Sequence, residues 1–564
     1  MAGEQEKMRI VIVGGVAGGA TAAARARRVN SQAEITILEK GPAVSFANCG
    51  LPYHLGGEIE QRSKLLVATA ELFWNRFRIQ VRIQHEVLRI DRLKKMVFGK
   101  TSDGSAFELP YDRLILSTGS EPIRPPFFQP DCKNVFHLWT LDDMDHILAV
   151  MDKQPIKRAT VVGAGFVGLE VVEQLVNLGV EVTLIERGSQ VLKPLDYEMA
   201  KMIQGELQKH GVKVLLNAAI DSLIYSDSVA ETVYLGDGTS IQTDLVVVGA
   251  GVRPRTQLAV DAGLTIGATG GVRVNEFMQT DDPCIYSVGD MVEYHHGVLN
   301  KKLRIPLAAP ANRAGRIAGA HAASGSASNM GSVFGTCIVR VFDLTAACTG
   351  VNEEACGQAG IAHRSATIQA PHHASYFPGA QNMTLKIVYS PSDGKLLGAQ
   401  AVGGAGCDKR IDVIATALHF GGTVDDLSKL DLAYAPPFGS AKDPLHMAAF
   451  VAENDLNEQP SLIEFDAAIE GFQVLDVRNA MEIAKMPLAG AIHIPVDELP
   501  QRWTELDPQL PTLTVCHSGK RAHVAACWLR GHGFANVKNL NGGMSLRSLS
   551  QRSSAPLASE VTER

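Results

Sequence analysis

Residues 159–186 read ATVVGAGFVGLEVVEQLVNLGVEVTLIE, and their pattern decides the fold. Ala159 to Val162 is an apolar run that predicts a buried parallel strand, and Gly163, Gly165 and Gly168 follow in G-x-G-x-x-G register. A helical stretch continues through Leu178, and a second strand, Glu181 to Ile185, ends in Glu186. In that order, backbone amides at a helix N-terminus face a pyrophosphate and the acid accepts from a ribose hydroxyl. A carboxylate at 186 repels a 2′-phosphate, which favours NADH; Arg187 beside it leaves NADPH open.

The same order occurs earlier in the chain. MRIVIV, residues 8–13, runs into Gly14, Gly15, Val16, Ala17, Gly18 and Gly19; an Ala- and Arg-rich helix follows, and the strand Glu34 to Leu38 ends in Glu39 and Lys40. Val16 stands where the middle glycine is expected. Two strand-end motifs accompany this unit. Residues 114–120 (LILSTGS) carry Thr118 and Gly119, and 285–290 (IYSVGD) carry Asp290, whose carboxylate at a strand end suits a ribityl hydroxyl. Two dinucleotide units in one chain point to electron transfer between their ligands.

Composition narrows the class. The 564 residues imply three to five domains; they are 46% hydrophobic and 20% charged. No apolar run reaches the roughly 18–20 residues of a membrane span, and the N-terminus lacks a secretory h-region. Lys+Arg 53 against Asp+Glu 60, a net charge of −7, argues against a nucleic-acid partner. Nine Cys with no C-x-x-C pair argue against a disulfide framework or a structural metal site, and a reducing cytoplasm is the expected location.

From about Met8 to Met447 the chain resembles the two-dinucleotide-binding-domain flavoprotein reductases. The resemblance implies that FAD is held by the first turn with Glu39 and Lys40, by Thr118 and Gly119, and by Asp290. It gives NADH to Gly163, Gly165, Gly168 and Glu186, and adds Gly251 to the cofactor-binding residues. Residues 45–53 read SFANCGLPY, with one cysteine where disulfide reductases of the glutathione-reductase type carry two. A lone redox Cys49 has three uses: a mixed disulfide with a substrate thiol, a sulfenic acid, or a persulfide. The string is similar to that of the coenzyme A-disulfide reductases and unlike that of the water-forming NADH oxidases. It implies Cys49 as redox nucleophile, Ser45 and Asn48 lining the thiol site, and Arg25 and Arg28 meeting coenzyme A phosphates. In residues 430–444 (LDLAYAPPFGSAKDP), the resemblance puts Tyr434 where a base-bearing His is found in glutathione-type enzymes. It gives Tyr376 as a second phenol and Lys442 as a substrate-binding residue. This segment crosses to the other subunit in such enzymes, so a homodimer is expected. His372 and His373 are expected at the surface.

A polar stretch at 452–461 precedes a second sulfur site. Leu513 to Val515 predicts a strand leading into Cys516, His517, Ser518, Gly519, Lys520 and Arg521, followed by a helix. Loop amides, the helix dipole and two cations favour an anion on the sulfur. The C-x4-R spacing is one residue shorter than in protein tyrosine phosphatases and suits a sulfane sulfur better than a phosphate. Residues 463–547 resemble a rhodanese domain, which implies Cys516 as persulfide carrier, with Asp476 and Arg478 supporting its loop.

The expected fold class is α/β. An FAD domain covers 8–120 and 245–325, an NAD(P)H domain 121–244, and an α+β interface domain 326–447. A linker follows at 448–462, a rhodanese domain at 463–550 and a tail at 551–564. The expected activity is NADH-dependent reduction of persulfides, polysulfide or coenzyme A disulfide. Two alternatives stay open: an NADH oxidase, and a plain coenzyme A-disulfide reductase whose rhodanese module only docks.

Overall fold

The apolar runs that open each dinucleotide motif become the central strands of two parallel five-stranded sheets. The first orders its strands Ile285–Ser287, Arg113–Leu116, Arg9–Val13, Glu34–Leu38 and Gln80–Arg82. The second orders them Lys213–Leu215, Glu181–Ile185, Arg158–Val162, Leu245–Val248 and Val135–Phe136. Ile10, Ile12, Leu114, Leu116, Val161 and Val246 are fully buried. Strands covered on both faces need no polar alternation, which is why they read as continuous apolar runs. The computed structural model describes residues 7–129 and 131–551. It divides into two units, with breaks at Val191/Leu192, Glu206/Leu207 and Gly335/Thr336. The expected tail beyond Gln551 lies outside the described residues. Among those residues, no helix is long and apolar enough to cross a membrane.

In the first unit, the helix Ala17–Val29 packs on Ala308–Ser324 through small residues. A Cβ on Gly315 would overlap the Gly18 carbonyl, and one on Gly319 the Ala22 carbonyl, so the two backbones touch directly. The expected return to the FAD domain at 245 is corrected. Leu245–Val248 completes the second sheet, and the chain crosses back later, where Val252–Pro254 pairs antiparallel with Ser120–Pro122.

The second unit holds an antiparallel sheet, ordered Cys337–Val341, Leu344–Gly350, Leu396–Gly403, Asn382–Tyr389 and Arg364–Pro371. It also holds a parallel sheet, ordered Leu462–Ile463, Val537–Leu540, Thr512–Val515, Gln473–Asp476 and Ile492–His493. Two boundaries move. Residues 192–206, expected in the NAD(P)H domain, cluster with this unit. The expected linker at 448–462 is mostly helix, Pro444–Leu456, and the buried Asp455 near its end accepts from Tyr389 Oη (2.7 Å) and the Leu462 amide (2.7 Å). Polar composition signalled a loop there, but the helix keeps most of its polar groups toward water and buries Asp455.

Buried polar contacts tie the two sheets of this unit. Asn541 donates to Ser365 O (3.2 Å) and Glu464 Oε2 (3.3 Å), and accepts from the Thr367 amide (2.9 Å). Beyond lies Lys386, 1% exposed, whose Nζ pairs with Asp196 (2.8 Å), Glu198 (2.5 Å) and Glu353 (2.5 Å). Burial lowers the lysine's basicity, but the three carboxylates outweigh it and hold the ammonium charged. Glu464 is pushed up to about 7, first by burial, then by the Glu353 charge, against Lys386 and the Asn541 hydrogen bond. Its folded value lies above its unfolded one, so its contribution is full at low pH and is lost as pH rises through about 7. The thermal midpoint of this unit is expected to fall between about pH 5 and pH 8. Glu464→Gln flattens that slope in a pH series of thermal melts.

Candidate active site

Both glycine turns use one device. Gly14 (φ +95°) and Gly163 (φ +99°) are left-handed, and a Cβ on either would overlap the chain at Ser117 or Gly249. A Cβ on Gly19 would overlap the Gly14 carbonyl, and one on Gly168 the Gly163 carbonyl. The middle position differs. Val16 has φ −86° and Gly165 φ −83°, so neither position is left-handed and neither needs the φ that only glycine adopts readily. Ala17 opens the first helix, and Gly18 packs beneath it against Val288.

The acids after each second strand grip the turns. Glu39 accepts from the amides of Gly15 and Gly41, both at 2.7 Å; Glu186 accepts from those of Ala164 (2.8 Å) and Gly188 (2.7 Å). Lys40 pairs with Glu86 (2.6 Å) at the surface. Thr118 Oγ1 donates to Arg255 O (2.7 Å), and Gly119 (φ +66°) accepts from the Arg255 amide. Gly251 (φ +98°) accepts from the Ile123 amide (2.9 Å). Asp290 lies past the strand end, in the turn Gly289–Met291, and accepts from Ser120 Oγ (2.9 Å). Burial pushes its carboxyl up, against that hydrogen bond and the Arg304 charge.

Cys49 sits in the short turn Asn48–Gly50, which leads into the helix Leu51–Leu55. The segment is anchored at both ends. Ser45, itself left-handed (φ 52°), donates its amide to Gly15 O (2.8 Å) on the first turn. Tyr53 donates its hydroxyl to Glu170 (3.1 Å), on the helix that follows the second turn. The Cys49 side chain is exposed, yet desolvation raises its thiol pKa, as do the charges of Glu170 and Asp290. The protein groups around this sulfur therefore disfavour the thiolate. Asn48 Nδ2 lies 3.5 Å from Trp139 O. Arg25 buries its Nε without a hydrogen-bond partner, whereas Arg28 is spent on the Phe77 ring at 5.3 Å.

In the second unit, Tyr376 (75% exposed) and Tyr434 (48% exposed) join hydroxyls at 3.0 Å. Lys442 is exposed nearby in sequence. His373 is corrected: it is buried, its Nδ1 3.0 Å from Ala374 O, and only His372 keeps some exposure.

Cys516, 1% exposed, ends the strand Thr512–Val515, and Gly519 (φ 86°) caps the helix Lys520–Gly531. The carbonyls of Cys516 and His517 accept from the amides of Met544 (2.8 Å) and Ser545 (3.0 Å), and a Cβ on Gly543 would block that closure. Asp476 and Arg478 form a buried pair at 2.6 Å beside the parallel sheet. Lys520 is exposed. Arg521 is not a free cation: its guanidinium is bidentate on Glu482 (2.8 and 2.5 Å), and that carboxyl is held at about 2, chiefly by this pair. Glu482 lies 39 residues before Arg521, so nothing local in the sequence signals it.

Comparison with known proteins fits this geometry. The pyridine nucleotide-disulphide oxidoreductase model matches residues 8–327, its dimerisation-domain model 336–444, and the rhodanese-like model 461–546. The chain belongs to the pyridine nucleotide-disulphide oxidoreductase family. It is 34% identical over 447 residues to the coenzyme A disulfide reductase of Staphylococcus haemolyticus, covering 79% of this chain and 99% of that one. The reduced Bacillus anthracis CoADR-RHD superposes with TM-score 0.94 at 39% identity, over 97% of this chain and 99% of that one. A NAD-dependent persulfide reductase from A. fulgidus gives 0.90 at 36%, over 96% and 100%. The oxidoreductase is thus a flavin- and nicotinamide-linked enzyme with a dimerisation domain and a rhodanese domain.

Glu170→Gln keeps an acceptor for Tyr53 and removes a charge that raises the Cys49 thiol pKa. The pH profile of Cys49 alkylation by iodoacetamide in the flavin-loaded enzyme is expected to move to lower pH.

Proposed function

We propose that this oxidoreductase reduces sulfane sulfur carried as coenzyme A persulfide, a related persulfide or polysulfide, with NADH as electron source, in a reducing cytoplasm. Coenzyme A disulfide is a slower substrate. The observation that carries the reading is a lone cysteine, Cys49, held between two nucleotide turns in a chain that also ends in a buried, loop-wrapped Cys516. A thiol without a resolving partner takes its second sulfur from substrate.

FAD fits the first turn, where glycine at positions 14 and 19 permits the close backbone contacts that shape it, and where Asp290 is a half-buried acid able to bond a polyol. Glu186 grips the second turn, where a ribose rather than a 2′-phosphate suits its carboxylate, which favours NADH. When bound, FAD supplies the two electrons, drawn from NADH, that return Cys49 to the thiolate and release sulfide. The chain's own part precedes that. The Cys49 thiolate attacks the outer sulfur of R–S–SH; the S–S bond breaks, R–S⁻ leaves as thiolate, and Cys49 holds the outer sulfur as a persulfide. The joined hydroxyls of Tyr376 and Tyr434 are phenols able to donate a proton to a leaving thiolate. The orphaned Nε of Arg25 suits a coenzyme A phosphate, with Ser45 and Asn48 lining the thiol end. Cys516 receives sulfur from a donor, and a coenzyme A thiol carries it onward.

Removal of everything after Met447 is a poor test, because it cuts the helix Pro444–Leu456 in mid-length. Point variants serve better. Under anaerobic conditions, Cys49→Ser is expected to lose NADH-dependent sulfide release from coenzyme A persulfide by at least about 10³-fold while retaining bound FAD. Cys516→Ser keeps turnover of coenzyme A disulfide and loses about tenfold or more with polysulfide. Sulfide release by Cys49→Ser at the parent rate overturns the reading.

A further inference from the structure

The antiparallel sheet brings two other thiols together. Cys337–Val341 and Leu344–Gly350 form a hairpin closed by Phe342 and Asp343, with Phe342 left-handed at φ 53°. That turn fixes the register, and Cys337 and Cys348 are direct cross-strand partners. Their sulfurs lie 3.3 Å apart, and one residue further out the hydroxyls of Thr336 and Thr349 meet at 2.7 Å. Cross-strand partners sit about 4.5–5.5 Å apart at Cα, inside the range a disulfide spans. Closing the bond needs the sulfurs to approach to about 2.05 Å, roughly what a χ1 adjustment provides.

The two thiols differ in a way that assigns their parts. Cys337 is half-buried on an edge strand, and the hydrogen bond from Cys348 lowers its pKa. Cys348 is buried, and its thiol is raised by that hydrogen bond, by burial, and by the Cys337 and Asp196 charges. An accessible, acidified thiol backed by a buried one is the arrangement of an attacking and a resolving cysteine.

We infer that Cys337 and Cys348 form a second redox centre, a dithiol that closes to an intramolecular disulfide on reaction with a hydroperoxide. The Cys337 thiolate attacks the outer peroxide oxygen; the O–O bond breaks, an alcohol or water leaves with a proton, and Cys337 becomes a sulfenic acid. The Cys348 sulfur then attacks the Cys337 sulfur; the S–O bond breaks, water leaves with the Cys348 proton, and the S–S bond forms. Two thiols lose two electrons and the peroxide gains them. Neither step uses Cys49, so the inference stands apart from the reading of the flavin site.

The test uses the full-length, flavin-loaded enzyme. It is exposed to stoichiometric hydrogen peroxide, alkylated, digested with trypsin and analysed without reductant. Arg340 separates the two cysteines, so the expected product is a pair of peptides joined through Cys337 and Cys348, lost after dithiothreitol. It should form at least about tenfold faster in the native chain than in urea, because the strands hold the sulfurs together. Cys348→Ser is expected to stop at a dimedone-reactive sulfenic acid on Cys337. Cys337→Ser and Cys337→Ala should both bind FAD and give no joined peptide. Consumption of Cys49 with no joined peptide overturns the inference, as do equal rates in urea or pairing of Cys348 with Cys356.

Discussion

The thiol at position 49 owes its place to two hydrogen bonds made by its neighbours. The Ser45 amide is fixed to the carbonyl of Gly15, and the Tyr53 hydroxyl to the carboxylate of Glu170. One anchor reaches the first glycine turn and the other the helix that follows the second, so the segment between them is registered against both nucleotide units at once. Turn geometry therefore propagates into the reactive sulfur. Glu39 and Glu186 hold the turns themselves by accepting from their amides, and strands buried on both faces hold the acids. Precision here comes from turn amides and carbonyls met by the side chains of Glu39 and Glu186 and by the Ser45 amide.

Much of this was legible in the sequence because it is local. Strand, glycine turn, helix and acid follow one another within about thirty residues, and each leaves its own signature. The same holds for the strand–Cys516–helix unit. Three-dimensional pairings were not legible. Lys40 adjoins Glu39 in sequence but turns to Glu86; Arg521 looks like a free cation until Glu482 is found beside it. The helix Pro444–Leu456 ends in a polar stretch that composition alone reads as a linker, yet its Asp455 is buried on Tyr389. Leu245–Val248 is apolar enough for either sheet, and only pairing with Arg158–Val162 assigns it.

Val16 illustrates how a motif and its physics diverge. Glycines at the first and last positions are dictated by close backbone approach, whereas the middle one is not. A pattern match weighs all three equally; the dihedral angles do not.

Residues 192–206 have a bearing on how the chain is made. Asp196 and Glu198 are buried against an ammonium supplied by Lys386, about 190 positions further along. Until that lysine leaves the ribosome, the segment holds carboxylates with no counter-ion and gains nothing by burying them. The excursion from Leu192 to Glu206 is therefore secured only by the later sheet that carries Lys386.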